Sequence, residues 1–279
     1  MRVILLGSGE RHGVLTAVEQ LRPEIDKYCE VVLSDFSGER DLTDVDADIV
    51  ITFGGDGSVL RAAHQMGMRQ RPMLTVNMGT LGFLSNVRSG ELISILQQPD
   101  LLSWQVTGHL LLRCRVYRKS GGSVTTLADS ICLNEVMIQG GTPFKMNHID
   151  LLIDGEQITT YSCDGLILST PVGSTAHNLS AGGPILRKDL SVVVLSPISA
   201  HTLSHRPVVD SAERIFELKT RDPFAYVVID GTVVTQIIPE DTVSIQKANE
   251  TFKLITIPNC TDYKKLQEKL GWSGSAVVK

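Results

Sequence analysis

No apolar run in this 279-residue chain approaches the length that a bilayer span needs. The opening Met1-Arg2-Val3-Ile4-Leu5-Leu6-Gly7 is too short and wrongly flanked for a signal peptide, so a cytoplasmic protein without a membrane partner is expected. Cysteine is sparse: five residues at 29, 114, 132, 163 and 260, with no close-spaced pair, suggest neither a disulfide framework nor a zinc site but reduced, buried thiols. A block of basic residues is also missing, and the net charge is −5, which argues against nucleic acid as the main partner. A small anionic ligand would instead need local backbone donors. Internal repeats and low-complexity segments are absent. What remains, 42% hydrophobic and 20% charged residues, is the profile of a soluble globular protein long enough for two ordinary domains.

The first third alternates apolar runs with helical patterns: Val3 to Leu6 then Leu15 to Leu21, Val31 to Leu33, Ile49 to Phe53 then Val59 to Met66, and Met73 to Val76 then Leu92 to Leu96. That rhythm predicts a parallel sheet with crossover helices, whose ligands collect beyond the carboxyl ends of the strands. After Pro99 the texture changes to strands. Trp104 to Lys119, Val124 to Gln139, Met146 to Thr160, Val192 to Leu195, Ile215 to Leu218, Ala225 to Ile238, Thr242 to Gln246 and Phe252 to Ile257 are joined by turn signals such as Ser120-Gly121-Gly122, Asp154-Gly155 and Asp230-Gly231. The expected organisation is an α/β domain over residues 1–102, an all-β domain over 103–257, and a helical tail within 258–279 that packs back on the first.

Phe53-Gly54-Gly55-Asp56-Gly57-Ser58 stands out as a tight turn after a buried strand. Its glycines let backbone N–H groups approach an anion, and Ser58 could cap the following helix. An aspartate beside a phosphate cradle repels its ligand unless it takes a proton from a hydroxyl that attacks that phosphate. Taken alone, Gly-Gly-Asp-Gly reads first as a strand-ending turn. Gly7-Ser8-Gly9 with Gly13 resembles a dinucleotide fingerprint, but its third glycine is one place late and no acidic ribose reader follows, so it is taken as a loop.

Asp164 to Pro184, DGLILSTPVGSTAHNLSAGGP, is far too long for a hairpin. Its small hydroxyl residues and glycines offer donors with little bulk, as a surface for a sugar, an amide or a phosphate requires. Ser174 to Leu179 is expected to form one short helix. His201 and His205, four apart, could share a helical face for a metal, but Pro207 close behind and no acid nearby in sequence favour a loop-ordering role. Asp154 and Asp230 are accounted for by type I′ turns.

Together, Gly-Gly-Asp-Gly-Ser, Asn134-Glu135 and Asp164 to Pro184 resemble the signature set of the NAD kinase family. Asn77-Met78-Gly79-Thr80-Leu81-Gly82-Phe83-Leu84 is similar to that family's loop after the fourth strand, His201 to Pro207 to its proline-and-histidine loop, and Leu266 to Trp272 to its C-terminal helix ending. Phosphofructokinases and lipid kinases carry similar glycine turns, and Ser58 replaces the threonine commoner in NAD kinases. The long stretch belongs to neither of those groups.

The resemblance implies an α/β plus all-β protein, with a Rossmann-like parallel N-terminal domain, a β-sandwich-like C-terminal domain and an active site between them. It implies transfer of the γ-phosphoryl group of ATP to the adenosine ribose 2′-hydroxyl of NAD, giving NADP. Asp56 is then the general base, and Gly54, Gly55, Gly57 and Ser58 hold phosphates. Asn134 and Glu135 read the adenosine half. Thr175, Ala176, His177 and Ser180 contact NAD, as does Asp164, toward the nicotinamide end and from the same or a neighbouring subunit, while Phe83 lines the same cleft. Asp230 matches an Asp-Gly of the family pattern, which leaves a site-supporting role open. Magnesium arrives with ATP rather than on protein ligands, and a homodimer or homotetramer is expected. His177 departs from the family's usual tyrosine and Asn178 from its serine. The alternatives are another Gly-Gly-Asp-Gly kinase acting on a sugar phosphate or lipid, and a non-catalytic NAD(P)-binding sensor; ATP and polyphosphate both stand as donors.

Overall fold

The apolar runs of the first third become buried strands, and the amphipathic segments between them become the helices that cover the strands. The computed structural model describes residues 1–79, 82–85, 87–98, 105–141, 145–202, 204–256 and 262–271. Outside these lie residues 99–104, where the domain junction was expected, along with Thr80 and Leu81 of the loop after the fourth strand, Leu203, the strand end at Ile257, the tail start at 258–261, and Trp272. The chain divides into two compact units, residues 1–108 with 252–279, and residues 109–251.

In the first unit, β1 (Arg2–Gly7), α1 (Val14–Ile25), β2 (Glu30–Asp35), β3 (Ile49–Gly54), α2 (Asp56–Met66), β4 (Met73–Asn77), β5 (Val87–Arg88) and α3 (Leu92–Leu96) follow one another. The strands pair in parallel in the order β2-β1-β3-β4, with β5 beside the end of β4. β3 and β4 are buried along their whole length, as strands covered on both faces require. Val3, Leu5, Ile49, Ile51, Phe53, Leu74 and Val76 share a core with Val14, Val18 and Leu92 of the helices. The register sets Gly7 opposite Phe53 and Gly54 opposite Asn77. Three neighbouring strands therefore end in one row, at the edge where parallel sheets bind ligands.

The second unit is antiparallel. Its strands run β6 (Val106–Ser120, entered from the first unit), β7 (Ser123–Cys132), β8 (Glu135–Gly140), β9 (Asn147–Ile153), β10 (Glu156–Cys163), β11 (Gly165–Ser169), a 3₁₀ turn at Gly173–Thr175, α4 (His177–Ser180), β12 (Val192–Ile198), β13 (Val208–Ser211), β14 (Phe216–Thr220), β15 (Ala225–Ile229), β16 (Thr232–Ile237) and β17 (Asp241–Ile255). One sheet has the order β13-β12-β11-β8-β15-β16; the other contains β10-β9-β14-β17 and the β6-β7 hairpin. Alternate residues of the two sheets, Val136, Ile138, Leu166, Leu168, Val193 and Leu195 from the first and Ile149, Leu151, Phe216, Leu218, Val243 and Ile245 from the second, meet in one buried cluster. That is a β-sandwich. Phe252 to Ile255 return to the first unit, where Leu254 pairs with Met73 and α5 (Asp262–Leu270) follows.

Several segments differ from their sequence reading. Val124 to Gln139, expected as one strand, is broken between β7 and β8 because the amides of residues 133–135 turn to a side chain instead of a neighbouring strand. Thr242 to Gln246 and Phe252 to Ile255 are one continuous strand. The opening of the long hydroxyl-rich stretch is the central strand β11, all five of whose residues are buried. Its middle is two short pieces and not one helix, because Ala176, at φ −96° and ψ −131°, leaves the helical region between the 3₁₀ turn and α4. The hairpin turns hold as read: Asp154-Gly155 (φ 51° and 83°) and Asp230-Gly231 (φ 49° and 82°) have positive φ at both central residues.

Asp241 is fully buried, and its carboxylate accepts both prongs of the Arg118 guanidinium at 2.8 Å and the Ile238 N–H at 2.9 Å. Burial opposes its charge, but these donors outweigh that and hold its carboxyl below the usual range. The Arg118 side chain is 38% exposed, so solvent screens part of the attraction. Asp241→Asn is expected to lower stability at pH 7 by about 2 kcal/mol in urea unfolding. A depressed pKa gives stability above the ordinary value that is lost as pH falls, so the gap between variant and parent should narrow below about pH 4.

Candidate active site

The glycine turn is tied to the loop after β4. Gly54 ends β3 at φ +147°, and a Cβ there would collide with Ser58 Oγ. α2 starts at Asp56 with Gly55 as its N-cap and no side-chain cap. Ser58 therefore is not the cap that the sequence suggested; it lies inside the first turn, its N–H 3.0 Å from the Gly55 carbonyl. The helix starts at the acid because a carboxylate in the first turn meets the positive end of the helix dipole. Asp56 Oδ2 accepts the Phe83 N–H at 2.8 Å and Oδ1 the Leu84 N–H at 2.9 Å, and a Cβ on Gly82 would strike the same carboxylate. Half-buried Phe83 is thus fixed through its backbone, and its carbonyl accepts Lys265 Nζ of α5 at 3.3 Å. Asn77 closes the start of the loop on itself through Gly79. A cavity of about 420 Å³ opens beside it, lined by Asn77, Met78, Gly79, Arg88 and Ser89.

In the second unit, Asp230 organises the Asn134-Glu135 pair. Its carboxylate accepts the N–H groups of Leu133 (2.9 Å), Asn134 (2.7 Å) and Glu135 (3.1 Å), while its own N–H donates to the Glu135 carbonyl at 3.0 Å. The turn residue explained by backbone geometry alone is therefore also the anchor of this segment. The Asn134 carbonyl accepts the Thr170 N–H at 2.8 Å and Ser169 Oγ at 3.2 Å, and only glycine at 173 avoids a clash with the Asn134 backbone. Those contacts leave the half-buried Asn134 carboxamide without a partner among the described residues.

Glu135 is 2% exposed. One oxygen, Oε1, meets His177 Nδ1 at 2.6 Å; the other, Oε2, is buried with no partner among the described residues. Burial raises the Glu135 pKa, His177 offsets part of the rise, and the nearby Asp230 charge adds to it. Thr175, Ala176, His177 and Ser180 all follow from the turn at Gly173, with the His177 side chain 58% exposed beside the buried acid. Asn178 points the other way: fully buried, it donates to the Ser174 and Pro184 carbonyls and accepts Ser196 Oγ at 2.7 Å, holding the stretch to β12.

Asp164 is not brought to this cluster. β11 pairs Ser169 with Glu135 and Gly165 with Gln139, so Asp164 lies roughly 17 Å away at a rise of about 3.3 Å per residue. Its exposed carboxylate is 4.0 Å from His201 Nε2, so the acid missing near His201 in sequence arrives from a strand end. His205 packs on Tyr161 with ring centroids 4.6 Å apart. Among the described residues no group of three or more His, Cys, Asp and Glu side chains could hold a metal.

The sequence matches the family models described as the ATP-NAD kinase N-terminal domain over residues 15–99 and the ATP-NAD kinase C-terminal domain over residues 133–257. The NAD kinase of Rhodopirellula baltica is 42% identical over 280 residues, covering all of this chain and 89% of its own. The chain belongs to the NAD kinase family. Among solved structures, yeast NADH kinase complexed with NADH superposes with a TM-score of 0.86 at 22% identity, over 100% of this chain and 90% of its own. An NAD kinase from Archaeoglobus fulgidus in complex with ATP gives 0.76 at 24% identity, over 97% and 98%. Both share the fold. The NAD kinase N-terminal match contains Asp56 and Phe83; the C-terminal match contains Asn134, Glu135, His177 and their anchor Asp230.

Asp230→Asn keeps a residue that tolerates positive φ but replaces an anion that accepts three N–H groups. It is expected to lower stability by about 2–3 kcal/mol in urea unfolding. Glu135→Gln is expected to act in the opposite sense, raising stability at pH 7 by about 1 kcal/mol because it removes a buried, half-partnered charge. A raised folded pKa penalises the folded state only above the unfolded value, so this advantage should disappear below about pH 4.5, in urea titrations run at both ends.

Proposed function

We propose that the protein phosphorylates NAD to NADP, with Asp56 accepting the proton of the adenosine ribose 2′-hydroxyl as that oxygen attacks the γ-phosphorus of ATP. The observation that carries this reading is the way Asp56 is held. Two backbone N–H bonds fix its orientation at the carboxyl end of β3, using one acceptor position on each oxygen. A carboxylate offers about four such positions, so among the described residues a second on each oxygen stays open for a hydroxyl proton. General-base assistance of this kind contributes about 10²- to 10⁴-fold, and alignment adds to it.

Gly54, Gly55, Gly57 and Ser58 hold phosphates, where the first-turn amides of α2 add donors. Magnesium comes with the nucleotide as part of the substrate, where its charge offsets that of the phosphates. Asn134, whose carboxamide has no partner among the described residues, reads the purine edge. Glu135 Oε2, without a partner among the described residues, accepts a ribose hydroxyl, which supplies that hydrogen bond. Phe83, Thr175, Ala176, His177 and Ser180 make further contacts to NAD, and Asp164, remote from Glu135 along its own sheet, serves the nicotinamide end from a neighbouring subunit. A cytoplasmic homo-oligomer completes the reading.

Incubation of the pure protein with ATP, magnesium and NAD is expected to give NADP, and no product with ATP, other nucleotides or polyphosphate would remove the claim. Asp56→Asn is expected to lower kcat by about 10²- to 10⁴-fold while NAD affinity by calorimetry changes little. A variant with normal kcat would overturn the general-base role. A sugar phosphate or lipid turned over in preference to NAD would favour another kinase of this turn type, and tight NAD(P) binding without turnover a sensor.

A further inference from the structure

The loop after β1, Gly7-Ser8-Gly9-Glu10-Arg11-His12-Gly13, fails as a dinucleotide fingerprint, yet it leaves the sheet in the same row as the glycine turn, with Gly7 opposite Phe53. Its backbone is pinned by Gly9 N–H to the Phe36 carbonyl at 2.8 Å and by Arg11 N–H to the Ser8 carbonyl at 3.2 Å. That course carries the Arg11 side chain over two glycines on different loops. A Cβ on Gly55 would lie 3.1 Å from Arg11 Nη1, and a Cβ on Gly79 would lie 3.1 Å from Nη2. Each terminal nitrogen of the guanidinium thus covers one glycine, one at the head of α2 and one in the loop after β4. Neither position leaves comfortable room for a side chain.

The Arg11 side chain makes no hydrogen bond or ion pair among the described residues. Its planar fork, five donors and permanent charge are unspent beside a cluster of backbone amides, in a protein whose net charge is −5. Gly79 is also a wall of the cavity of about 420 Å³, whose lining includes a second arginine, Arg88. Two guanidinium groups and a glycine-rich backbone form a setting that matches an extended chain of phosphates, since a fork pairs with two phosphate oxygens at once.

We propose that Arg11, with Arg88 on the adjoining cavity wall, is the clamp for the polyphosphate chain of the phosphoryl donor. The inference rests on the proposed phosphoryl transfer. In that step the ribose 2′-oxygen forms a bond to the γ-phosphorus, its proton passes to Asp56, and the bond from the γ-phosphorus to the β,γ-bridging oxygen breaks with its electron pair going to the departing diphosphate. Arg11 faces that growing charge, so it acts on donor binding and on turnover, and it leaves NAD binding alone.

The test compares the intact protein with Arg11→Ala, Arg11→Lys and Arg88→Ala, using inorganic tripolyphosphate as the probe in calorimetry and ATP and NAD in steady-state kinetics. Arg11→Ala is expected to weaken tripolyphosphate binding and to raise KM for ATP, each by about ten- to a hundredfold. Its kcat should fall as well, with KM for NAD within about twofold and an unchanged Tm. Arg11→Lys, which keeps the charge and loses the fork, should fall between the two, and Arg88→Ala should weaken tripolyphosphate without touching NAD. NADP made from tripolyphosphate without ATP would identify an inorganic chain as the donor, and competition with ATP without turnover a nucleotide; either fits the clamp. Unchanged tripolyphosphate binding and KM for ATP in Arg11→Ala would overturn it, as would parallel weakening of ATP and NAD with a lowered Tm. Tripolyphosphate binding requires no turnover, so its outcome stands apart from whether NAD is the acceptor.

Discussion

A carboxylate that gathers backbone N–H groups is the interaction on which the second unit's site depends. Residues 133–135 leave the strand ladder between β7 and β8, and their amides would otherwise be buried donors with nothing to bond, each costing about 1–3 kcal/mol. Asp230 takes all three. Because of it, residues 133–135 can leave the ladder with their amides bonded, and Glu135 can keep its acid buried at the start of β8. The first unit uses the same device on a smaller scale: Asp56 collects two amides from the loop after β4, so the proposed base and the position of Phe83 are set by one group.

Such sites work against stability. Glu135 holds an oxygen that is buried and without a partner among the described residues, and its burial pushes the acid toward its neutral form. His177 relieves part of this from a largely exposed position. A tyrosine there would bring a phenol to the same acid; the imidazole brings a ring nitrogen, 2.6 Å from Glu135 Oε1.

The fold was legible wherever one period governed a segment: unbroken apolar runs such as Ile49 to Phe53 for doubly covered strands, and alternation such as Phe216 to Leu218 for the sandwich. It was less legible where one residue answered two demands. Gly165 to Ser169 was read as part of a ligand-binding stretch and is also a central strand; Ser58 carries the chemistry of a helix cap, yet the helix starts at the acid before it. The site's residue types could be named from motifs, but not their supports. The Asp-Gly match left a supporting role for Asp230 open without showing which amides it gathers, His177 and Glu135 are 42 positions apart, and Arg11 lies in a loop whose glycine spacing departs from the dinucleotide fingerprint. Pairings of that kind are set by sheet register and leave no periodic trace in the chain.

The bonds from residues 133–135 to Asp230 span 95 to 97 positions of chain. During synthesis the three amides emerge well before the carboxylate that will accept them, and folding must close a long loop before they are satisfied. The segment can therefore take its native course only once the β15-β16 hairpin has formed and docked. A chain interrupted before residue 230 would hold the whole Asp164 to Pro184 stretch and the Asn134-Glu135 pair and still be unable to shape them, so competence arrives late and all at once.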